Sequence, residues 1–186
     1  MELAIKHYRI ALSLWPDYAS AHNNLGTLLS DPVEAEHHFK VAIAVNSYHA
    51  RAYFNLANLY SKQDKRKAAE TFLKQAIHID PGFAEAYSAL ASLYAVFGHV
   101  NEAEKFHLVA LSLSPDNVDA LNNYGVFIQN LGREDEAVEF YQRAIRIHPN
   151  HTVALLNAAR TLRSLKFIDD AEKLYKRFSN LVVNTF

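Results

Sequence analysis

Alanine returns every 34 residues, at Ala35, Ala69, Ala103, Ala137 and Ala171. A period of this length limits the chain to architectures in which each unit cannot bury its apolar face alone and must stack on its neighbours. The surroundings of the alanines repeat as well: a large residue four positions on, a small one seven on and a turn twelve on. From Ala69 these are Leu73, Ala76 and Pro81; from Ala103, His107, Ala110 and Pro115; from Ala137, Tyr141, Ala144 and Pro149. A second set lies upstream, Tyr53, Leu56, Ala57 and Tyr60, then Tyr87, Leu90, Ala91 and Tyr94. Spacings of three, four and seven are helical, so each unit reads as two helices joined by a turn.

This pattern resembles the tetratricopeptide repeat (TPR), which implies an all-α fold: a right-handed TPR superhelix (α-solenoid) of antiparallel helix pairs. Units start at Ala19, Ala50, Ala84, Val118 and Thr152, which divides the chain into a half repeat with helix B only (1–18) and repeats at 19–49, 50–83, 84–117, 118–151 and 152–186. Numbering each unit from 1 to 34, position 8 holds Gly26, Ala57, Ala91, Gly125 and Ala159, and position 20 holds the five periodic alanines. Small side chains there let helices A and B approach to about 8–10 Å. Position 24 is bulky. Proline at position 32 ends helix B, and Gly98 and Gly132 at position 15 supply a left-handed residue that closes helix A. The first full unit is three residues short between Leu29 and Ala35, where Ser30 or Asp31 can cap helix B and Pro32 can sit in its first turn. The half repeat leaves Leu3, Tyr8 and Leu12 without a covering helix A, an apolar edge (1–16) through which self-association is one expectation. At the other end Phe178 replaces a small residue, and Leu181, Val182, Val183 and Phe186 do not form a polar cap, so the chain reads as a piece of a longer array.

Composition narrows the functions. With 19 basic and 20 acidic residues, no general attraction to nucleic acid or to an anionic membrane is expected. The absence of cysteine excludes disulfides and thiolate metal sites. No run reaches the roughly 20 apolar residues of a membrane span, and no signal-peptide pattern follows Met1, so this segment itself should not contact a membrane. All five glycines have structural explanations, which leaves none for a phosphate-binding loop.

In such a superhelix the A helices line a concave face. Position 6 reads Asn24, Asn55, Ala89, Asn123 and Asn157. Asparagine within a helix costs roughly 0.7 kcal/mol relative to alanine, so propensity does not select it. An amide offers an acceptor and two donors, and a row of them could hold an extended polypeptide by its main chain. Equally, each could bond a neighbouring helix and set the pitch. Asn58 and Arg51 share this face, and Arg160 and Arg163, three apart on one helix, could receive a carboxylate or phosphate. Position 5 (Asn23, Phe54, Ser88, Asn122, Leu156) lacks the lysine of a C-terminal-carboxylate clamp.

No metal site, cofactor or catalytic residue is expected. None of the ten histidines stands four from another, His37 and His38 should diverge, and His107 takes the bulky position 24 as a packed residue. Glu102 with Glu104, and Glu134, Asp135 and Glu136, fall near the starts of B helices, where they complement the helix dipole. Asn150-His151-Thr152 is an N-glycosylation sequon in an inter-unit turn.

The runs AHNNLGTLLSD (21–31), AYSALASLY (86–94), NNYGVFI (122–128) and VALLNAARTLRSL (153–165), with the shortened loop at Asp31, resemble the repeats of the transmembrane-and-TPR (TMTC) proteins. Those are membrane-bound protein O-mannosyltransferases of the endoplasmic reticulum that use dolichyl-phosphate mannose. The resemblance implies a lumenal module that recognises or positions the acceptor protein, with a cadherin-type domain as its partner. It carries over no catalytic residue. The asparagine row also resembles that of the nucleocytoplasmic O-GlcNAc transferase, and a cytosolic TPR scaffold is the further alternative.

Overall fold

The computed structural model of the chain describes residues 1–183; Phe186 and the last part of the 152–186 segment lie outside the described residues. Among the described residues there are eleven α-helices and no strand. They group into two compact units, Met1–Leu93 and Tyr94–Phe186.

The first unit contains α1 (Glu2–Leu14), α2 (Ala19–Leu28), α3 (Pro32–Val45), α4 (Ala50–Lys62), α5 (Arg66–Ile79) and the start of α6 (Ala84–Val96). Here α2 packs on α1, α3 and α4, and α4 also packs on α3 and α5. The second unit continues with α7 (Val100–Leu113), α8 (Val118–Asn130), α9 (Glu134–Ile147), α10 (Thr152–Ser164) and α11 (Ile168–Val183). There α8 packs on α7, α9 and α10, and α10 packs on α9 and α11. Short connections fold successive helices back on each other. The result is an all-α solenoid repeat fold.

The turns follow from their residues. Each of α1, α5, α7 and α9 stops two residues ahead of a proline, which sets the second place of a tight turn. The closing bonds are Tyr18 N–H to Trp15 O (3.2 Å), Phe83 to Asp80 (3.1 Å), Asn117 to Ser114 (3.2 Å) and His151 to His148 (3.0 Å). Ser47 stands in the proline's place at the remaining junction, yet His49 N–H still reaches Asn46 O at 3.1 Å. At the shortened loop it is Asp31, not Ser30, that caps α3, its Oδ1 accepting from Val33 N–H at 3.0 Å with Pro32 in the first turn.

Gly98 (φ 79°) and Gly132 (φ 80°) are left-handed as the spacing predicts, but so are Asp64 (φ 58°) and Lys166 (φ 66°) at the same repeat position. The geometry belongs to the turn and is imposed on whichever residue occupies it.

The five periodic alanines are buried, none more than 3% exposed. Glycine rather than alanine at position 8 has a specific cause: a Cβ on Gly26 would lie 2.6 Å from the Phe39 ring, and one on Gly125 would lie 2.6 Å from the Tyr141 ring. Where position 8 faces an aromatic at position 24 in these two places, only hydrogen fits. In the second unit Leu174, Phe178 and Leu181 of α11 pack against the core that contains Leu121, Tyr124 and Tyr141, which accounts for the apolar character of that helix. In the first unit α1 has no fully buried residue. Leu3, Ile10 and Leu14 are exposed, whereas Tyr8 and Leu12 are half-buried and so less open than the missing helix A suggests.

Candidate functional site: the faces of the A helices

In the first unit Asn24 is exposed on α2, Asn55 and Asn58 are half-buried on α4, and Arg51 is exposed at the start of α4. The amides are joined. Asn55 Nδ2 donates to Asn23 Oδ1 (2.8 Å), and Asn23 Nδ2 donates to Asn24 Oδ1 (3.2 Å). Asn23 is only 4% exposed, and a buried amide must be paired. The chain of bonds from α4 to α2 meets that need and fixes which way each end points. Asn55 has used a donor and keeps its Oδ1 as acceptor; Asn24 has used an acceptor site and keeps both donors.

Arg51 is held over the Phe83 ring, 4.5 Å from its centroid, with Nη1 3.7 Å from Glu85 Oε1. Phe83 also packs on Phe54, centroids 5.0 Å apart. The arginine is therefore positioned by aromatic stacking and a partly screened ion pair.

The second unit repeats the bond between adjacent A helices: Asn157 Nδ2 donates to Asn122 Oδ1 at 2.9 Å, and Asn122 is again buried. Asn123 is half-buried on α8. Arg160 and Arg163 are exposed on α10 and make no ion pair among the described residues. The structure thus brings Asn55 to Asn23 and Asn157 to Asn122. The spacing of the position-6 asparagines alone did not show that their partners are the asparagines at position 5.

The histidines divide into distinct roles. His49 and His151 cap α4 and α10, each Nδ1 accepting from a backbone N–H (Ala52, Ala154) at 3.2 Å. Their tautomer is thereby set, and His151 Nε2 faces Asp119 Oδ1 at 3.2 Å. His22 and His38 meet, Nδ1 to Nδ1 at 2.8 Å, while His22 Nε2 faces Pro16 O at 2.9 Å. The carbonyl requires a proton on His22 Nε2, so His38 Nδ1 is the donor to His22. Burial, and then the charge that His22 would add, push the His38 pKa down. His37, expected to diverge from His38, instead meets it edge-on with centroids 5.6 Å apart. No group of three or more potential metal ligands occurs among the described residues.

His107 is packed as its position predicts, against the rings of Tyr124 and Phe127. It is 1% exposed and neither ring nitrogen has a hydrogen-bond partner. Burial lowers its pKa to about 4. Glu104 departs from its expected role at a helix start. It accepts from Arg133 Nη1 (2.7 Å) and the Tyr124 hydroxyl (3.2 Å), so pairing across helices rather than the α7 dipole accounts for it. Glu102 and Glu134–Glu136 do lie in first turns.

With helix pairs, alanine seams and amide-bearing A helices in place, the class is defined: this is a tetratricopeptide-repeat chain, and two tetratricopeptide-repeat family models match it, over residues 28–93 and 108–139. Among curated proteins it is similar to Protein O-mannosyl-transferase TMTC1 of Homo sapiens and of Mus musculus, each 64% identical over 33 residues, 18% of this chain and 4% of the relative. The matched stretch is therefore a small fraction of those relatives' length. Solved structures share the fold at low identity. Pseudomonas aeruginosa pilF has a TM-score of 0.77 at 19% identity, covering 87% of this chain and 75% of that one. The Cut9–Hcn1 complex gives 0.85 at 17%, covering 95% and 36%. YrrB, described as a TPR protein with an unusual peptide-binding site, gives 0.60 at 20%, covering 94% and 91%. No described helix is long and apolar enough to cross a membrane.

Proposed function

We propose that this protein-interaction module binds an extended polypeptide along its A-helix faces, and that it is the lumenal acceptor-recognition part of a membrane protein O-mannosyltransferase acting on cadherin-type domains in the endoplasmic reticulum. The observation that carries the groove reading is the polarity of the Asn55–Asn23–Asn24 chain. It leaves an acceptor at one end and donors at the other, the complement of a peptide main chain, which offers N–H and C=O in alternation. Such recognition is indifferent to side chains. Arg51, Arg160 and Arg163 add charge at the borders of these faces. The transferase reading is supported by the 64% identity of a 33-residue stretch to TMTC1, against 17–22% for the structural neighbours, which share only the fold. No catalytic or cofactor-binding residue is assigned to this segment.

The test is O-mannose transfer to a cadherin-type extracellular domain by the complete protein, comparing wild type with Asn24→Ala/Asn58→Ala. Neither residue bridges two A helices, but Asn24 accepts from buried Asn23, so a stability loss of about 1–3 kcal/mol is expected; assayed below the melting transition, transfer should still fall by about tenfold, equivalent to 1.4 kcal/mol. Undiminished transfer would overturn the groove reading. Absence of any transfer by the wild type would overturn the transferase assignment.

A further inference from the structure

Asn150 is the third residue of the tight turn His148–His151 between α9 and α10, and it is exposed. Asn and Asp side chains at the first or last place of the other turns are committed. Asn46 Oδ1 accepts from Tyr48 N–H, Asp80 Oδ1 from Gly82 N–H, and Asn117 Oδ1 from Ala120 N–H. The Asn150 amide makes no hydrogen bond among the described residues.

The same contrast holds two residues on. Helical threonines elsewhere return their hydroxyls to the backbone: Thr27 to Asn24 O, Thr71 to Lys67 O and Thr161 to Asn157 O. Thr152, at the first position of α10, makes no such bond among the described residues. Between them the His151 ring turns away, engaged by Ala154 N–H and Asp119. The turn therefore displays an uncommitted amide and an uncommitted hydroxyl with the intervening side chain tied back. Asn150-His151-Thr152 is also the sole Asn-X-Ser/Thr sequence in the 186 residues.

We propose that Asn150 is an N-glycan attachment site in the folded chain, taking a preassembled oligosaccharide from a lipid-diphosphate donor through the glycosylation enzyme of the compartment. Asn150 Nδ2 forms a bond to the anomeric carbon as the carbon–oxygen bond to the diphosphate breaks. The lipid diphosphate leaves with that electron pair, and the amide proton passes to the enzyme's base. No covalent or hydrogen-bonding partner inside the chain has to be surrendered. This inference rests on the lumenal reading above, because the donor is available only on that side of the membrane.

The experiment expresses the complete protein in mammalian cells and treats it with peptide:N-glycosidase F. Conversion of residue 150 from asparagine to aspartate is then read by peptide mass. Conversion is expected in the wild type and in Thr152→Ser, and its loss in Thr152→Ala. A second protein carrying Asp116→Asn with Val118→Thr places a control sequon in the equivalent turn before α8. Conversion at the control but not at Asn150 overturns the Asn150 site and leaves the lumenal reading intact. Conversion at neither overturns both.

Discussion

Position 24 of the repeat is filled by Tyr141 on α9 and by His107 on α7, and the two cores treat their occupants oppositely. Tyr141 is fully buried, its ring enters the space left by Gly125, and its hydroxyl donates to Gln129 Oε1 at 2.7 Å. His107 is equally buried and lies against two aromatic rings with both nitrogens unpaired. Burial raises the Tyr141 pKa and lowers that of His107, in each case keeping the neutral form. For tyrosine that form is already the one present near neutral pH. For histidine it leaves an N–H and a lone pair without partners, which costs about 1–3 kcal/mol. A repeat register specifies volume more strictly than polarity.

The largest effect expected is from emptying the satisfied site. Tyr141→Ala should destabilise the chain by roughly 3–5 kcal/mol, since it opens a ring-sized cavity and strips Gln129 of its donor. Urea denaturation measures it. A loss under 1 kcal/mol would mean that α8 and α9 collapse to refill the space, and the claim that volume rules this seam would fail.

Acidification separates the two sites next. Unfolded, the His107 ring takes up a proton near the ordinary 6.5; folded, only at about 4. Between these values the unfolded chain holds more protons, so stability falls as the pH is lowered from 6.5 to 4. The expected loss is roughly 3 kcal/mol, fully avoided above the unfolded value. His107→Leu should lack this slope and be more stable at pH 7 by about 1–3 kcal/mol. Parallel stability–pH profiles for the two proteins would show that His107 is paired in solution.

What was readable beforehand follows the range of the forces involved. The alanine seam, the prolines and Gly98 and Gly132 report local sterics, and each leaves its mark in the residue itself. The left-handed residues Asp64 and Lys166 leave none, because ordinary side chains do not announce a backbone imposed by the turn. The amide site was legible in part. Its residues could be placed on the A helices by period, but the Asn55–Asn23 and Asn157–Asn122 bonds join residues 32 and 35 apart. Which asparagine meets which depends on how one helix pair rests against the next, information no single repeat contains. The His22–His38 contact lies within one repeat, between α2 and α3, and was hidden because histidine spacing along one helix does not mark a pair that meets across two.

A smaller effect tests how tightly position 8 is matched to position 24. A Cβ at residue 125 would sit 2.6 Å from the Tyr141 ring, so Gly125→Ala should cost about 1–3 kcal/mol despite alanine's better helix propensity. In the first unit the same two positions hold Ala57 and Leu73, both buried. Gly125→Ala with Tyr141→Leu should therefore be less damaging than the sum of the single changes. Additive losses would show that the two positions do not share a space.

The smallest expected effect carries the comparison from side chains to backbone. Gly132 and Lys166 occupy the same closing position with φ of 80° and 66°, one residue suited to it and one not. An L-residue in this region is disfavoured by roughly 1–2 kcal/mol, offset in part by glycine's greater freedom when unfolded. Lys166→Gly should then stabilise by about 1 kcal/mol or somewhat less, and Gly132→Lys should destabilise by a similar amount. Because neither side chain is buried, core packing cannot contribute, and the pair isolates the backbone term. If both substitutions were neutral, the turn would have to relax to negative φ when given a side chain, and position 15 would be adaptable in a way that the seams at positions 8 and 24 are not.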